Sequence, residues 1–266
     1  MIETHAHIYD EQFADDRENM LQRAWKSGVQ QIWMPNCDQE TIPGMMQLAD
    51  AYPQRCLPMM GLHPCYVKGD FESELRIVQE WLNRREFLAI GEIGMDLYWD
   101  KTYRPQQEEA FIFQCQLALK HNLWIDIHSR EAFRETVALI EKIANPKLKG
   151  IFHCFVGNLD EANKAIELGF KLGIGGVATF KNGGLDKVLP HIGIEHLVLE
   201  TDSPYLAPTP YRGKRNEPSY LELVAQRIAD LKQLSREQLI AATTRNALSM
   251  LPKLNLESAK IERGKI

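Results

Sequence analysis

Short apolar runs of strand length alternate with amphipathic stretches of helical period along the whole chain. The first run is Ile2 to Ile8. Helical spacing follows from about Asp16 to Lys26, and Gly28 supplies a stop. Further runs fall at Gln31 to Met34, Leu57 to Leu62, Phe87 to Ile93, Leu123 to His128, Gly150 to Phe155, Phe170 to Ile174 and Leu197 to Thr201. A long amphipathic stretch from about Pro105 to Lys120 separates the fourth run from the fifth, and helices are expected in every other gap. Two more helical stretches follow the last run, from about Tyr220 to Lys232 and from Arg236 to Met250. The second opens on Ser235-Arg236-Glu237-Gln238, where the Ser and Gln side chains can satisfy each other's backbone N–H groups.

Eight such runs, each with a helix behind it, predict an α/β chain folded as a single-domain (β/α)₈ TIM barrel. The barrel is expected over residues 1–252, followed by a polar tail at 253–266. An open doubly wound sheet is the alternative. It would carry a Gly-rich phosphate turn after the first strand, and no such turn is present.

Composition acts mainly by exclusion. Hydrophobic residues make up 44% of the 266, enough to fill a core, and no window approaches the apolar length of a membrane span. The start, Met1-Ile2-Glu3-Thr4-His5, has neither the basic head nor the apolar stretch of a signal peptide, so a cytoplasmic location is expected. The five cysteines are odd in number and contain no CxxC pair, which fits reduced thiols better than disulfides or a zinc–cysteine cluster. A net charge of −5 argues against a protein that coats long duplex nucleic acid. A nucleic-acid substrate would have to be gripped locally, at a strand end.

The candidate chemistry lies at the carboxyl ends of the runs. His5 and His7 lie on the first, Glu92 on the fourth, His128 on the fifth, His153 on the sixth and Asp202 just past the eighth. In a barrel these positions rise to one rim, where active sites of this architecture sit. Alternation points His5 and His7 to the same face, so both imidazoles can hold one ion. A lone His-x-His pair is a weak signal; further ligand-type residues at four other strand ends make it a metal site. Mixed nitrogen and oxygen donors suit Zn²⁺ or Mn²⁺, and Mg²⁺ less well. Four histidines and two carboxylates exceed what one ion needs, so two divalent ions sharing a carboxylate are expected, with hydrolysis of a phosphoester, amide or lactone as the chemistry.

The chain resembles the TatD family of metal-dependent deoxyribonucleases, among the amidohydrolase-like barrels. The resemblance rests on Thr4-His5-Ala6-His7, Gly61-Leu62-His63-Pro64, Gly91-Glu92-Ile93-Gly94-Met95-Asp96, Ile127-His128-Ser129-Arg130, His153-Cys154-Phe155, Glu200-Thr201-Asp202-Ser203-Pro204 and Arg212-Gly213-Lys214-Arg215-Asn216-Glu217-Pro218. It implies that His5, His7 and Asp202 hold one ion, His128 and His153 a second, and that Glu92 bridges them. It further implies that Asp202 orients or deprotonates the attacking water and that His63 contacts the scissile phosphate, although His63 also reads as a turn residue fixed by Pro64. Asp96 and Glu200 would orient ligands, or serve simply as buried hydrogen-bonding groups. Arg130, Arg212, Lys214 and Arg215 would bind substrate phosphates, although the segment from Arg212 to Arg215 also reads as a solvated loop, and Tyr98, Trp99 and Tyr103 either stack bases or pack a long loop. The implied activity is 3′-5′ trimming of single-stranded DNA. Rival readings are an esterase acting on aminoacyl-tRNA, a lactonase, and a non-catalytic binding module with a closed metal shell.

The chain departs from the family pattern at Glu3, usually Asp, at Asp126, usually apolar, and at Val156, often Ser. Alternation sets Glu3 below His5 and Asp126 below His128, inside the barrel. A buried carboxylate needs a partner, so Asp126 is expected to accept a hydrogen bond from a ligand histidine or another barrel residue.

Overall fold

The structure is a computed structural model in which residues 1–251 are described. The tail expected at 253–266 lies outside the described residues. Eight strands all pair in parallel: β1 (Ile2–Glu3), β2 (Gln31–Met34), β3 (Cys56–Pro58), β4 (Ala89–Asp96), β5 (Trp124–Arg130), β6 (Gly150–Phe152), β7 (Lys171–Ile174) and β8 (Leu197–Leu199). Ladders join β1-β2-β3 and β4 through β8 in chain order. Backbone hydrogen bonds bridge the two remaining seams. Leu88 N–H donates to Pro58 O at 3.0 Å and Gly91 N–H to Met60 O at 3.1 Å between β3 and β4. Thr4 N–H donates to Leu199 O at 3.0 Å and His7 N–H to Ser203 O at 2.7 Å between β8 and β1. The ring is therefore a closed (β/α)₈ barrel.

The outer ring is α1 (Arg17–Lys26), α2 (Ile42–Ala51), α3 (Phe71–Arg84), α4 (Arg104–His121), α5 (Phe133–Ile143), α6 (Leu159–Glu167), α7 (Leu221–Lys232) and α8 (Arg236–Leu248). Their apolar stripes meet the outward faces of the strands in one large core. α8 starts on the expected box: Ser235 Oγ accepts from Gln238 N–H at 3.1 Å, and Gln238 Oε1 accepts from Ser235 N–H at 2.9 Å. Among the described residues no helix is long and apolar enough to cross a membrane.

Two expectations need correction. No α-helix fills the gap between β7 and β8, which holds only short 3₁₀ turns at Gly176–Thr179, Leu185–Lys187, Leu189–His191 and Ile194–His196. Glycines at 175, 176, 183, 184 and 193, with Pro190, break any helical register there. α7 covers these turns instead, donating from Arg227 Nε to Ala178 O at 3.3 Å and from Lys232 Nζ to Leu189 O at 2.7 Å. The first strand is also shorter than its apolar run. Beyond Glu3 the chain bonds in turn to both neighbours, Ala6 N–H to Trp33 O and His7 N–H to Ser203 O, so it remains in the wall without forming a regular ladder.

Inside the barrel the side chains form layers. Trp33, Met59, Trp124, Ile151 and Val198 form an apolar plug. The next inward positions toward the carboxyl ends carry Asp126 and Glu200, joined by Glu3, each fully buried. The histidines lie above them, at the mouth.

Candidate metal centre at the barrel mouth

Each strand end delivers one part of the site. The wall beyond β1 carries His5 and His7, β5 carries His128, and His153 follows β6 directly. Asp202 follows β8 in the left-handed region, with φ 57°, a conformation Asp tolerates better than most residues. Glu92 depends on an irregularity in β4. The β4–β5 register shifts between Ile90 and Ile93, and this bulge turns Glu92 into the mouth. Gly91 permits it, because a Cβ there would lie 2.6 Å from the Asp126 Cβ. Asn36 clasps the bulge: its N–H donates to Gly91 O at 3.0 Å and its carbonyl accepts from Glu92 N–H at 3.1 Å.

Glu92 stands at the centre, and its two oxygens face different partners. Oε2 lies 3.3 Å from His5 Nε2 and 3.4 Å from His7 Nε2. Oε1 lies 2.8 Å from both His128 Nδ1 and His153 Nε2. Asp202 Oδ1 closes the first side at 3.6 Å from His5 Nε2 and 3.7 Å from His7 Nε2. The His5 and His153 rings stack at 3.9 Å, joining the two halves. Ligand-type atoms of His5, His7 and Glu92 lie within 4.8 Å of one another, as do those of His5, His153 and Asp202 and of His63, Glu92 and His128.

Outer hydrogen bonds fix which ring nitrogen can coordinate. His5 Nδ1–H donates to Asp126 Oδ2 at 2.7 Å, leaving the Nε2 lone pair for the centre. The Tyr9 hydroxyl spends its proton on Pro35 O at 2.5 Å and therefore accepts from His7 Nδ1–H at 2.9 Å. His128 is reversed: Nε2–H donates to Asp96 Oδ2 at 2.9 Å, so Nδ1 faces the centre. His153 Nδ1 faces Glu200 Oε1 at 3.8 Å, too far for a hydrogen bond, and Glu200 is tied down by the Cys154 N–H. His63 differs from these four. Its Nδ1 accepts from Cys65 N–H at 3.0 Å, so the neutral ring carries its proton on Nε2, 3.3 Å from Glu92 Oε1. His63 thus offers the centre a donor and no lone pair, which sets it apart from the ligand-type histidines despite its proximity.

The nitrogens facing inward are paired closely, His5 and His7 Nε2 at 3.2 Å and His128 Nδ1 and His153 Nε2 at 3.3 Å. Two lone pairs at that separation need positive charge between them, either a proton or a cation. The electrostatics agree. Burial opposes charge on His128, but Asp96 and Glu92 outweigh it and raise its pKa to about 9. Burial also opposes charge on His5, yet Asp126 and Glu92 hold its pKa well above the ordinary value. Burial, reinforced by the charge of His5, pushes His153 down to about 4, leaving it neutral with a free lone pair. Burial would raise Glu92, but the ring of imidazoles around it, His153, His63 and His5 first, holds it well below the usual range. Beneath these groups burial lifts Glu3 to about 8, even though its Oε1 accepts from His5 and Thr201 N–H groups at 3.1 and 2.8 Å. Imidazole nitrogens and carboxylate oxygens converging on a buried, positively compensated point make a donor set suited to divalent transition-metal ions.

Comparison with known proteins agrees with this chemistry. A family model described as TatD related DNase matches residues 2–252. The chain belongs to the TatD family. An uncharacterized metal-dependent hydrolase of Bacillus subtilis, YabD, is 37% identical over 248 residues, covering 93% of this chain and 97% of that one. A Pantoea vagans protein named 3′-5′ ssDNA/RNA exonuclease TatD is 32% identical over 260 residues, covering 94% and 98%. The crystal structure of the TatD homologue YjjV from Escherichia coli superimposes with a TM-score of 0.89 at 28% identity, covering 94% of this chain and 97% of that one. The protein is thus a metal-dependent hydrolase of the TatD family.

In this TatD-family chain the cations expected to hold substrate are spread around the rim. Arg130 is exposed at the end of β5, its guanidinium 4.0 Å from the Tyr98 ring centre. Arg212 and Lys214 are exposed, Arg212 lying 3.9 Å above the Phe180 ring. Arg215 points elsewhere. Nη1 and Nη2 hold both oxygens of Asp16 at 2.6 and 2.9 Å, and Nη1 also donates to Gln12 O at 2.6 Å. Arg23 donates to Asp16 at 3.0 Å and to Glu217 at 2.6 Å, so these four residues clamp α1 to the loop after β8.

This clamp predicts a pH effect on stability. Hydrogen bonds from Arg215 and Arg23 hold Asp16 well below the usual carboxylate range. For Glu217, burial is outweighed by hydrogen bonds from Arg23 and Ser219, and its pKa is also lowered. Both folded values lie below unfolded values of about 3.9 and 4.3. Their contribution is complete above about pH 5 and is lost as pH falls through the depressed values. Circular-dichroism melts should therefore show Tm falling below about pH 4, with a shallower fall in Asp16→Asn. Parallel profiles for parent and variant would contradict the assignment.

Tyr9 and Asn36 were not anticipated as parts of the site. Tyr9 had a usable signal, since alternation puts it on the face of His5 and His7. Asn36 had none, because its partners at Gly91 and Glu92 lie far along the chain.

Proposed function

We propose that the chain is a divalent-metal-dependent phosphodiesterase that trims single-stranded DNA from its 3′ end. The observation that carries the reading is the division of Glu92, one oxygen toward His5 and His7 and the other toward His128 and His153. That arrangement fits two ions, one held by His5, His7 and Asp202 and one by His128 and His153, with Glu92 shared. Bound there, divalent ions such as Zn²⁺, Mn²⁺ or Mg²⁺ would acidify water and offset charge on a phosphate. The protein's own groups supply the rest. Burial raises the Asp202 pKa, which makes its carboxylate a better proton acceptor for the attacking water. The His63 Nε2–H is aimed into the mouth and can donate to a non-bridging phosphate oxygen. Arg130 on the rim is placed to meet the strand's phosphates. The DNA substrate is supported by the name of the Pantoea vagans relative, and a net charge of −5 suits a local grip on a strand end.

The test is to offer purified protein, with added Mg²⁺, Mn²⁺ or Zn²⁺, a 3′-labelled single strand, charged tRNA and a panel of lactones. Metal-dependent release of the 3′ label, abolished in His153→Ala, is the expected result. Faster turnover of charged tRNA or a lactone would overturn the choice of substrate. Equal DNA cleavage by parent and variant would identify a contaminant and remove the nuclease reading.

A further inference from the structure

Large exposed hydrophobic side chains gather at one end of this barrel. Of seven such residues among those described, Tyr66, Tyr98, Trp99, Val156, Tyr205 and Leu206 all follow the carboxyl ends of strands. Single exposed apolar residues are ordinary, but grouping around one opening marks a surface that meets something. The pair on the loop between β4 and α4 is the most developed. Trp99 is 68% exposed and Tyr98 48%, with ring centres 4.9 Å apart and an interplanar angle of 83°. The Arg130 guanidinium completes the group, 4.0 Å from the Tyr98 ring centre and 5.1 Å from that of Trp99.

The platform is fixed to the metal centre by one carboxylate. Asp96 Oδ1 accepts the backbone N–H groups of Tyr98 at 2.9 Å and Trp99 at 3.0 Å. Its other oxygen accepts His128 Nε2–H at 2.9 Å. The loop that carries the rings and the histidine that faces Glu92 are therefore held in register. Nor is Trp99 absorbed into packing against α4: a cavity of ≈ 80 Å³, lined also by Lys68, Asp96 and Tyr103, lies beside it.

We propose that Tyr98, Trp99 and Arg130 form a stacking subsite for the nucleobase adjoining the scissile phosphate. This rests on the nuclease reading given above and adds how the base is held. An aromatic face stacks any base, because every base has a π-face, so the grip is tolerant of sequence. A guanidinium lying against the rings extends the flat surface and adds attraction to the base and to its phosphate. A base inside a duplex has both faces covered by its neighbours and must be unstacked before it can bind here. The subsite therefore selects single strands and frayed ends, which a chain of net negative charge cannot select by electrostatics alone.

The experiment compares short single strands ending in ordinary or abasic nucleotides, using the parent, Trp99→Ala, Trp99→Phe and Arg130→Ala. Both KM and kcat are measured. Binding is also followed in EDTA through quenching of the exposed tryptophan, which does not depend on turnover. In Trp99→Ala the expected KM for the ordinary strand rises about tenfold, and the parent's preference over the abasic strand collapses toward parity. Trp99→Phe should recover most of the affinity, and quenching should vanish in both Trp99 variants. A parent that cleaves both strands with equal KM, or an unchanged KM in Trp99→Ala, overturns the subsite while leaving the nuclease reading intact. A parent that neither binds nor cleaves the ordinary strand overturns the nuclease reading, and the subsite with it.

Discussion

Replacing Glu92 with Gln is expected to slow hydrolysis by about a thousandfold, a loss of about 4 kcal/mol in transition-state stabilisation. The size follows from position. Glu92 is 2% exposed and lies within 3.4 Å of members of both histidine pairs, Oε2 on the His5 side and Oε1 on the His128 side. The amide keeps the shape but removes the negative charge and turns one acceptor into a donor aimed at ring nitrogens. The two histidine pairs then lose the carboxylate that they share, and only the His5 side keeps another at the centre, Asp202. Metal content per chain, measured by plasma mass spectrometry after dialysis, should fall alongside the rate. A variant that keeps its full metal content and most of its activity would show that Glu92 is only a neighbour of the centre.

The second expected result concerns Asp126. Asp126→Asn should weaken metal binding about 10- to 100-fold, with activity recovering when excess metal is supplied. Asp126 and His5 are both fully buried, and the 2.7 Å contact between Oδ2 and Nδ1 both fixes the His5 tautomer and makes its Nε2 a stronger donor. The neutral amide can still orient the ring but cannot strengthen it as a ligand. Competition against a chromophoric chelator measures the change without reference to turnover. Unchanged affinity in the variant would mean that Asp126 serves the barrel interior rather than the metal centre.

What was legible in the sequence depended on whether a residue's partner is set by the strand period. Alternation gathers His5 and His7 on one face and places Asp126 beneath the ligand layer, and the structure pairs Asp126 with His5. A barrel lifts every strand end to one rim, so residues as distant as His5 and Asp202 converge once eight parallel strands are recognised. Arg215 shows the limit. Near the end of a strand it reads as a phosphate grip, yet its partner Asp16 stands 199 positions away in the N-cap of α1, and no local pattern discloses that pair. The missing helix between β7 and β8 is a different failure. The glycines and Pro190 that forbid it were visible, but the expectation of a helix after every strand outweighed them. The lone-pair assignments at His63 and His128 were beyond reach, because they depend on which ring nitrogen meets Cys65 and Asp96.

In the proposed reading Glu92 divides its oxygens between two cation positions at the mouth of the barrel. Anomalous diffraction from crystals soaked in Mn²⁺ or Zn²⁺ tests it most directly. Two peaks about 3.5–4 Å apart are predicted, one among His5, His7 and Asp202, the other between His128 and His153, each touching one oxygen of Glu92. A single peak, or peaks that leave Glu92 without contact, would contradict the account.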